Sequence, residues 1–117
     1  MTGPPGAGKS TLVAAIAAEL AGRGERVAVV AVDPTSPVSG GALLGDRIRM
    51  DALHGNERVY IRSLATRGHP GGLSRATRGV VELLAAAGFD TVLVETVGSG
   101  QGDVEIRQVA QTCILVF

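Results

Sequence analysis

Two segments of the chain carry the 3.6-residue period of an amphipathic helix. They are Ser10–Ala21, which Gly22 and Gly24 follow, and Leu73–Ala87, which Gly88 follows. The apolar positions that predict their core faces are Leu12, Val13, Ile16, Ala17 and Leu20 in the first segment and Val80, Val81, Leu83 and Leu84 in the second. Because glycine ends helices, the glycines after each segment predict where the two helices stop.

Short apolar runs rich in β-branched residues separate the helices and predict strands that are buried on both faces. These runs are Arg26–Asp33, Val59–Leu64, Asp90–Thr96 and Cys113–Phe117, and Asp103–Gln111 is compatible with one more helix before the last run. Strands that alternate with helices indicate an α/β domain, with a mostly parallel sheet and helices on both of its faces.

The predicted elements form one domain over residues 1–117, without an internal repeat or a linker. The first glycine-rich turn begins at Gly3, which leaves no room for a strand before it, and the last apolar run stops at Phe117. A parallel sheet needs strands at both places. We therefore expect the chain to be a fragment of a longer α/β domain, incomplete at both ends.

Composition narrows the class of protein further. The hydrophobic content of 45% supports a core, the net charge of zero gives no reason to expect nucleic acid or an anionic membrane as partner, and a single cysteine argues against a disulfide scaffold. No apolar run approaches the ~18 residues that span a bilayer. Lys9 and the apolar residues after it loosely resemble a secretory signal, but the motif that contains Lys9 explains them better, so we expect a cytoplasmic protein.

The strongest motif contains the only lysine of the chain. Gly3-Pro-Pro-Gly-Ala-Gly-Lys9-Ser10 matches the phosphate-binding pattern G-x-x-x-x-G-K-[ST] in full and precedes the first predicted helix. Backbone N–H groups and the helix N-terminus would bind phosphates, Lys9 would reach the β- and γ-phosphates, and Ser10 would ligate Mg²⁺. The predicted phosphate-binding residues are Gly3, Pro5, Gly6, Ala7, Gly8, Lys9, Ser10 and Thr11.

Two acidic residues follow predicted strands, at the sheet edge where α/β proteins bind ligands. Asp33 ends one strand and Glu95 lies near the end of another, so both are candidates to face Mg²⁺. Glu95 is followed after two residues by Gly98, the spacing of a switch in which the acid holds metal or water and a glycine N–H bonds the γ-phosphate. A solvated strand end or a helix cap is the alternative for each acid.

Taken together, these motifs closely resemble the MeaB/ArgK-type P-loop GTPases, which are associated with methylmalonyl-CoA mutase. The resemblance runs from about Thr2 to Phe117 and is carried by GPPGAGKST, DPTSPVSGGALLGDRIRM, YIRSLATRGHPGGLSRAT and ETVGSGQ, in that order. It implies a SIMIBI-like P-loop fold and slow hydrolysis of GTP to GDP with Mg²⁺. It also implies a switch or chaperone role on a cobalamin-dependent acyl-CoA mutase, and a homodimer at full length.

The resemblance also assigns site residues. It adds Asp46 to Asp33 and Glu95 in the acidic set around Mg²⁺, and Gln101 is a candidate to orient water, although a structural loop role for it is equally compatible. Gly102-Asp103 replaces the usual Ser-Glu pair of the family, which affects the following helix and not the phosphate site. The guanine-recognition motif Asn-Lys-x-Asp is expected beyond Phe117, so guanine specificity is inherited from the resemblance.

Three other functions stay open at this point. One is an ATP-dependent kinase or ATPase linked to amino-acid transport, which nucleotide competition would distinguish. Another is a nickel-delivery GTPase, which would carry a His- or Cys-rich segment that these residues lack. The third is a chain that binds nothing.

Overall fold

A computed structural model describes residues 1–33, 53–65, 72–96 and 107–117 of the chain, and the side chains of Asp33, Ala65 and residues 72–74 lie outside the description. Its elements are helix α1 (Lys9–Gly22), strand β1 (Val27–Asp33), strand β2 (Val59–Ala65), helix α2 (Gly72–Ala86) and strand β3 (Thr91–Thr96). The sequence therefore predicted both helices and three of the strands to within about two residues. Neither of the two helices in the described residues is long and apolar enough to cross a membrane.

The three strands form a parallel sheet in the order β2-β1-β3. Val27 of β1 pairs with Val59 of β2 on one side and with Thr91 of β3 on the other, so the three strands begin level with one another. Because they are parallel, their carboxyl ends meet at one edge, which carries Asp33, Ala65 and Thr96. This confirms the α/β class and the parallel sheet.

Each face of the sheet is covered by one helix and has its own apolar cluster. On the α1 face, Val13 and Ala17 pack with Val27, Val29 and Leu53. On the α2 face the cluster consists of Ala28, Val30, Val32, Leu84 and Val94, with Val80, Val81 and Phe89 packed against it. β1 contributes alternate residues to both clusters, as expected for a strand that is buried on both faces.

The buried stripes of the helices differ in part from the predicted ones. In α1 the fully buried residues are Val13 and Ala17, whereas Leu12 is 37% exposed. In α2 Leu84 is buried as predicted, but Leu83 is 68% exposed, so its assignment to the core was wrong. At about 100° per residue, the four predicted positions spread over about 160° of the helix surface. Leu83 lies at one end of that arc, outside the buried stripe that contains Thr77 and Leu84.

The last part of the chain also departs from the prediction. Residues 107–111 form turns and an irregular segment where a helix was expected. Cys113–Phe117 makes only an isolated parallel bridge, Thr2 with Leu115, so the strand predicted there is not part of the described sheet. Cys113 is exposed, although the apolar pattern had suggested a core position.

The first two residues already lie beside the sheet. The Met1 N-terminal ammonium donates to Val94 O (2.5 Å), and Thr96 N–H donates to Met1 O (3.1 Å). On the other side Thr2 N–H donates to Ile114 O and Val116 N–H donates to Thr2 O, both at 2.9 Å. Met1 and Thr2 therefore link β3 to residues 114–116, but they form only an isolated bridge and no strand before Gly3.

Candidate phosphate-binding site

Residues 3–8 form a loop that connects this segment to α1. Gly3 has φ 145° and lies so close to the 114–116 segment that a Cβ atom at its position would lie 1.9 Å from Val116 O. Only glycine fits such an approach, and its φ is one that other residues rarely adopt. The first glycine of the motif is thus required by the packing of two backbone segments, before any ligand is considered.

The rest of the loop opens toward solvent and turns into the helix. Gly6 and Gly8 have φ angles of 80° and 90°, and Gly8 is the N-cap of α1. Ala7 N–H donates to Pro4 O (3.3 Å), and Leu12 N–H donates to Gly8 O (2.9 Å), the bond that starts the helical ladder. The N–H groups of the first helical turn, from Lys9 to Thr11, precede that ladder and carry the positive end of the helix dipole. Such a turn is well suited to bind phosphate.

Lys9 is the first residue of α1, and its side chain folds back along the loop. It is 6% exposed, and its ammonium donates to Gly3 O (2.9 Å) and Pro4 O (2.8 Å). An ammonium has three N–H donors, of which these two carbonyls take two. Lys9 therefore braces the loop from inside while its charge stays next to the helix N-terminus.

Ser10 and Glu95 join the loop to the sheet. Ser10 Oγ donates to Glu95 Oε1 at 2.5 Å, and Glu95 is 6% exposed. The sheet explains how Glu95 reaches α1: Val92 and Val94 pack on the α2 face and Leu93 on the α1 face, so alternation turns Glu95 toward α1. This contact brings together two predicted site residues that lie 85 positions apart in the sequence.

The remaining predicted site residues are only partly described. Pro5, Gly6 and Thr11 are exposed on the loop and the first turn of α1, where a phosphate could reach them. The Asp33 backbone ends β1 opposite Ala65, at the same edge as Thr96, but its side chain is outside the description, as are Asp46, Gly98 and Gln101 altogether.

Among the described residues, Ser10 and Glu95 have oxygen donors that are suitable ligands for Mg²⁺. Mg²⁺ prefers oxygen ligands and is commonly held by one or two protein groups together with water and substrate phosphates. A serine hydroxyl and a carboxylate that meet beside a phosphate loop fit this chemistry. Within the described ranges, no group of three or more His, Cys, Asp or Glu side chains lies close enough together to hold a metal ion. Of the four predicted Mg²⁺ ligands, Ser10 and Glu95 are the two whose side chains are described, and they are in contact.

One contact of this site was not foreseen from the sequence. Thr96 is 5% exposed, and both its N–H (3.1 Å) and its hydroxyl (3.4 Å) donate to Met1 O. It ties the end of β3 to the segment that enters the phosphate loop. Thr96 adjoins the predicted switch acid in sequence, but nothing in the sequence indicates that the partner is the first residue of the chain.

Comparison with known proteins agrees with this geometry. Residues 1–117 match the family described as methylmalonyl Co-A mutase-associated GTPase MeaB. The chain belongs to the MeaB family. The resemblance inferred from the motifs is thereby confirmed, and the parallel sheet with its helices is consistent with part of a P-loop NTPase domain.

Individual relatives of this MeaB-family chain come from distant organisms. A protein of Pyrococcus horikoshii whose name describes it as a GTPase is 55% identical over 116 residues, which are 99% of this chain and 37% of the relative. The GTPase ArgK of Escherichia coli is 47% identical over 97% of this chain and 34% of its own length. A Caenorhabditis briggsae protein named as a mitochondrial methylmalonic aciduria type A homolog is 43% identical over 100% of this chain and 29% of its own length.

The chain therefore spans about a third of the length of the curated relatives that it matches. The match covers the phosphate loop, Glu95 and the three described strands.

Proposed function

We propose that this chain is the phosphate- and Mg²⁺-binding part of a GTPase that hydrolyses GTP to GDP. The observation that carries the proposal is the contact between Ser10 of the phosphate loop and Glu95 at the end of β3. It links the residues that would hold the metal to the strand from which the predicted switch segment continues. The family name and the relatives named GTPases support the choice of reaction and of guanine.

In this proposal the residues act by position and charge. The glycine-rich loop and the first-turn N–H groups of α1 bind the phosphates, and Lys9 neutralises charge at the β- and γ-phosphates. Ser10 and Glu95 hold Mg²⁺, with Asp33 and Asp46 as further members of the acidic set. Bound Mg²⁺ supplies electrostatic stabilisation of the transferred phosphoryl group. Gly98 would bond the γ-phosphate, and Gln101 is the candidate for orienting water.

For the whole protein we propose the role that the family name suggests. A GTPase associated with methylmalonyl-CoA mutase would act as a switch or chaperone for that cobalamin enzyme, in the cytoplasm and as a homodimer, with the 117 residues as one partial P-loop domain. The relative named after methylmalonic aciduria supports the link to this metabolism.

Calorimetric titration of the chain with GTP and Mg²⁺ tests the central claim. Wild type is expected to bind, and Lys9→Ala is expected to weaken binding by roughly a hundredfold, because a charge-assisted contact to phosphate is lost. Arg23→Ala is the matched control: it also removes one cation, but from the surface pair with Glu19. Equal affinities for wild type and Lys9→Ala, with both folded by circular dichroism, would contradict the proposal.

A second titration separates the metal residues from the phosphate loop. Ser10→Ala and Glu95→Gln should weaken binding of GTP with Mg²⁺ about tenfold or more, yet leave the affinity for GDP in EDTA nearly unchanged. A competition with ATP on the full-length protein tests guanine choice, because the guanine-recognition motif is expected beyond Phe117. Preference for ATP, with phosphate passed to an amino acid, would favour the kinase alternative.

A further inference from the structure

A buried hydroxyl in α2 is not explained by the site described above. Thr77 is 0% exposed, and among the residues that the structure describes its Oγ1 has no hydrogen-bond partner. Because no part of Thr77 is accessible to solvent, water cannot hydrogen-bond the hydroxyl without a rearrangement. A buried hydroxyl without a partner costs folding free energy, and a valine of the same shape would avoid that cost.

The position of Thr77 in the fold indicates what the hydroxyl can reach. α2 joins the carboxyl end of β2 to the amino end of β3, so it runs antiparallel to the strands and its first turns lie toward their carboxyl ends. Val81 lines a cavity of about 480 Å³ that extends along β3 from Asp90 to Thr96. Thr77 lies one helical turn before Val81 on the same face of α2, and the direction of the helix therefore places Thr77 nearer than Val81 to the carboxyl edge.

The carboxyl edge of the sheet also carries the candidate site, but the site and Thr77 lie on opposite faces of the sheet. α1, Ser10 and the Glu95 carboxylate lie on one side of β3, while α2 and Thr77 lie on the other. A hydroxyl on the α2 side can therefore act on the backbone at the ends of β1 and β3 without touching nucleotide or metal. Proteins that keep a locally unfavourable polar group in this way commonly do so at functional sites.

We propose that Thr77 is a positioning residue for the nucleotide site. Its hydroxyl hydrogen-bonds the backbone at the carboxyl ends of β1 and β3 in the arrangement that binds GTP with Mg²⁺, and it thereby sets the position of Glu95 from behind. This inference rests on the proposed function. It explains why a hydroxyl that is unfavourable for stability occupies a core position of α2.

Two substitutions at this position separate the hydroxyl from the shape of the side chain. Thr77→Val keeps the shape and removes the hydroxyl, whereas Thr77→Ser keeps the hydroxyl and removes a buried methyl group. On thermal unfolding without nucleotide, the valine variant should be as stable as wild type or more so, and the serine variant less stable. On titration with GTP and Mg²⁺ the order should reverse: the valine variant binds roughly tenfold more weakly, and the serine variant binds within about twofold of wild type.

Titration with GDP in EDTA distinguishes a positioning role from a purely structural one. A purely structural defect would weaken the binding of both nucleotides, whereas a positioning defect would weaken only the binding of GTP with Mg²⁺. Thr77→Val should leave this affinity unchanged, because the effect passes through the metal-facing end of β3. Wild-type affinity of Thr77→Val for GTP with Mg²⁺ would overturn the inference while leaving the proposed function intact. Absence of any GTP binding by wild type would overturn both.

Discussion

At the scale of single residues, the phosphate loop is held in place from two sides by contacts within the protein. Lys9 donates to the carbonyls of Gly3 and Pro4 from inside the loop, and Gly3 lies against Val116 O from outside. Ser10 then fixes the end of the loop to Glu95. Because these contacts exist within the chain itself, the loop is organised without a ligand, which would lower the entropic cost of binding the proposed phosphates.

The close approach at Gly3 leads to a prediction about stability. Gly3→Ala should destabilise the fold by roughly 3 kcal/mol, because the new Cβ would lie 1.9 Å from a backbone oxygen that no side-chain rotation can move. Urea unfolding followed by circular dichroism measures the change. Gly22→Ala is the control, since a Cβ at that helical position meets nothing within 4 Å, and it should be neutral or stabilising. Equal midpoints for the two variants would argue against the contact.

At the scale of elements, α2 shows how one helix divides neighbouring apolar residues between core and surface. Leu83 and Leu84 are adjacent and chemically identical, yet Leu84 is 7% exposed and Leu83 is 68% exposed. The helix contacts the sheet along one stripe, and Leu84 belongs to that stripe together with Thr77, Val80 and Val81.

The leucine pair offers a matched test of this packing. Leu84→Ala should lower the free energy of unfolding by about 3 kcal/mol, because it removes a buried side chain and leaves a cavity. Leu83→Ala, the same substitution one residue earlier, should change it by less than about 0.5 kcal/mol. Chemical denaturation of both variants compares the two values directly. Similar losses for the two leucines would mean that α2 packs with a different face.

Arg26 contacts the C-terminal end of α2 and stabilises it. The Arg26 guanidinium donates to Ala87 O (3.0 Å) and Gly88 O (3.4 Å) and lies 4.7 Å from the centre of the Phe89 ring. The Phe89 ring in turn lies 5.9 Å from that of Tyr60 on β2. A cation at a helix C-terminus is stabilising, and a planar guanidinium can also stack on an aromatic ring.

Substitution of Arg26 should therefore measure how much these contacts contribute to the free energy of unfolding. Arg26→Ala is expected to cost about 1 kcal/mol of stability, with Arg26→Lys between it and wild type, because an ammonium keeps the charge but loses the planar contact with Phe89. Thermal unfolding of the three proteins gives the order. A lysine variant equal to alanine would show that charge at the helix end contributes nothing.

At the scale of the whole molecule, β1 is the centre of the described fold. It pairs with β2 and β3 along its length and contributes to the clusters on both faces of the sheet, and Val27, Val29 and Val30 are 0% exposed. β2 has a strand on one side only within the described residues, and Tyr60 is 43% exposed.

Native-state hydrogen exchange should reproduce this difference. The amides of β1 are expected to exchange most slowly, by global unfolding, whereas those of β2 exchange by local opening at a higher rate. Mass spectrometry of peptides that cover 27–33 and 59–65 distinguishes the two. If β2 were as protected as β1, a further strand or segment would have to cover its outer edge.

Much of the local structure is determined by the sequence itself. Helical and strand periodicities gave both helices and β1, β2 and β3, because each pattern reflects which neighbours within one element face the core. The motif that predicts a phosphate loop, with Lys9 and Ser10, can also be recognised from the sequence alone, because its residues are consecutive in the chain.

Tertiary structure decided the contacts between distant segments. Only the fold shows that Ser10 reaches Glu95, that Thr96 binds Met1, that Gly3 lies against Val116, and that Leu84 rather than Leu83 is buried. Periodicity describes a single element, whereas these contacts depend on which strands become neighbours and on how far each helix is rotated over the sheet. The same reason explains why the unpartnered hydroxyl of Thr77 could be recognised only after α2 had been placed on the sheet.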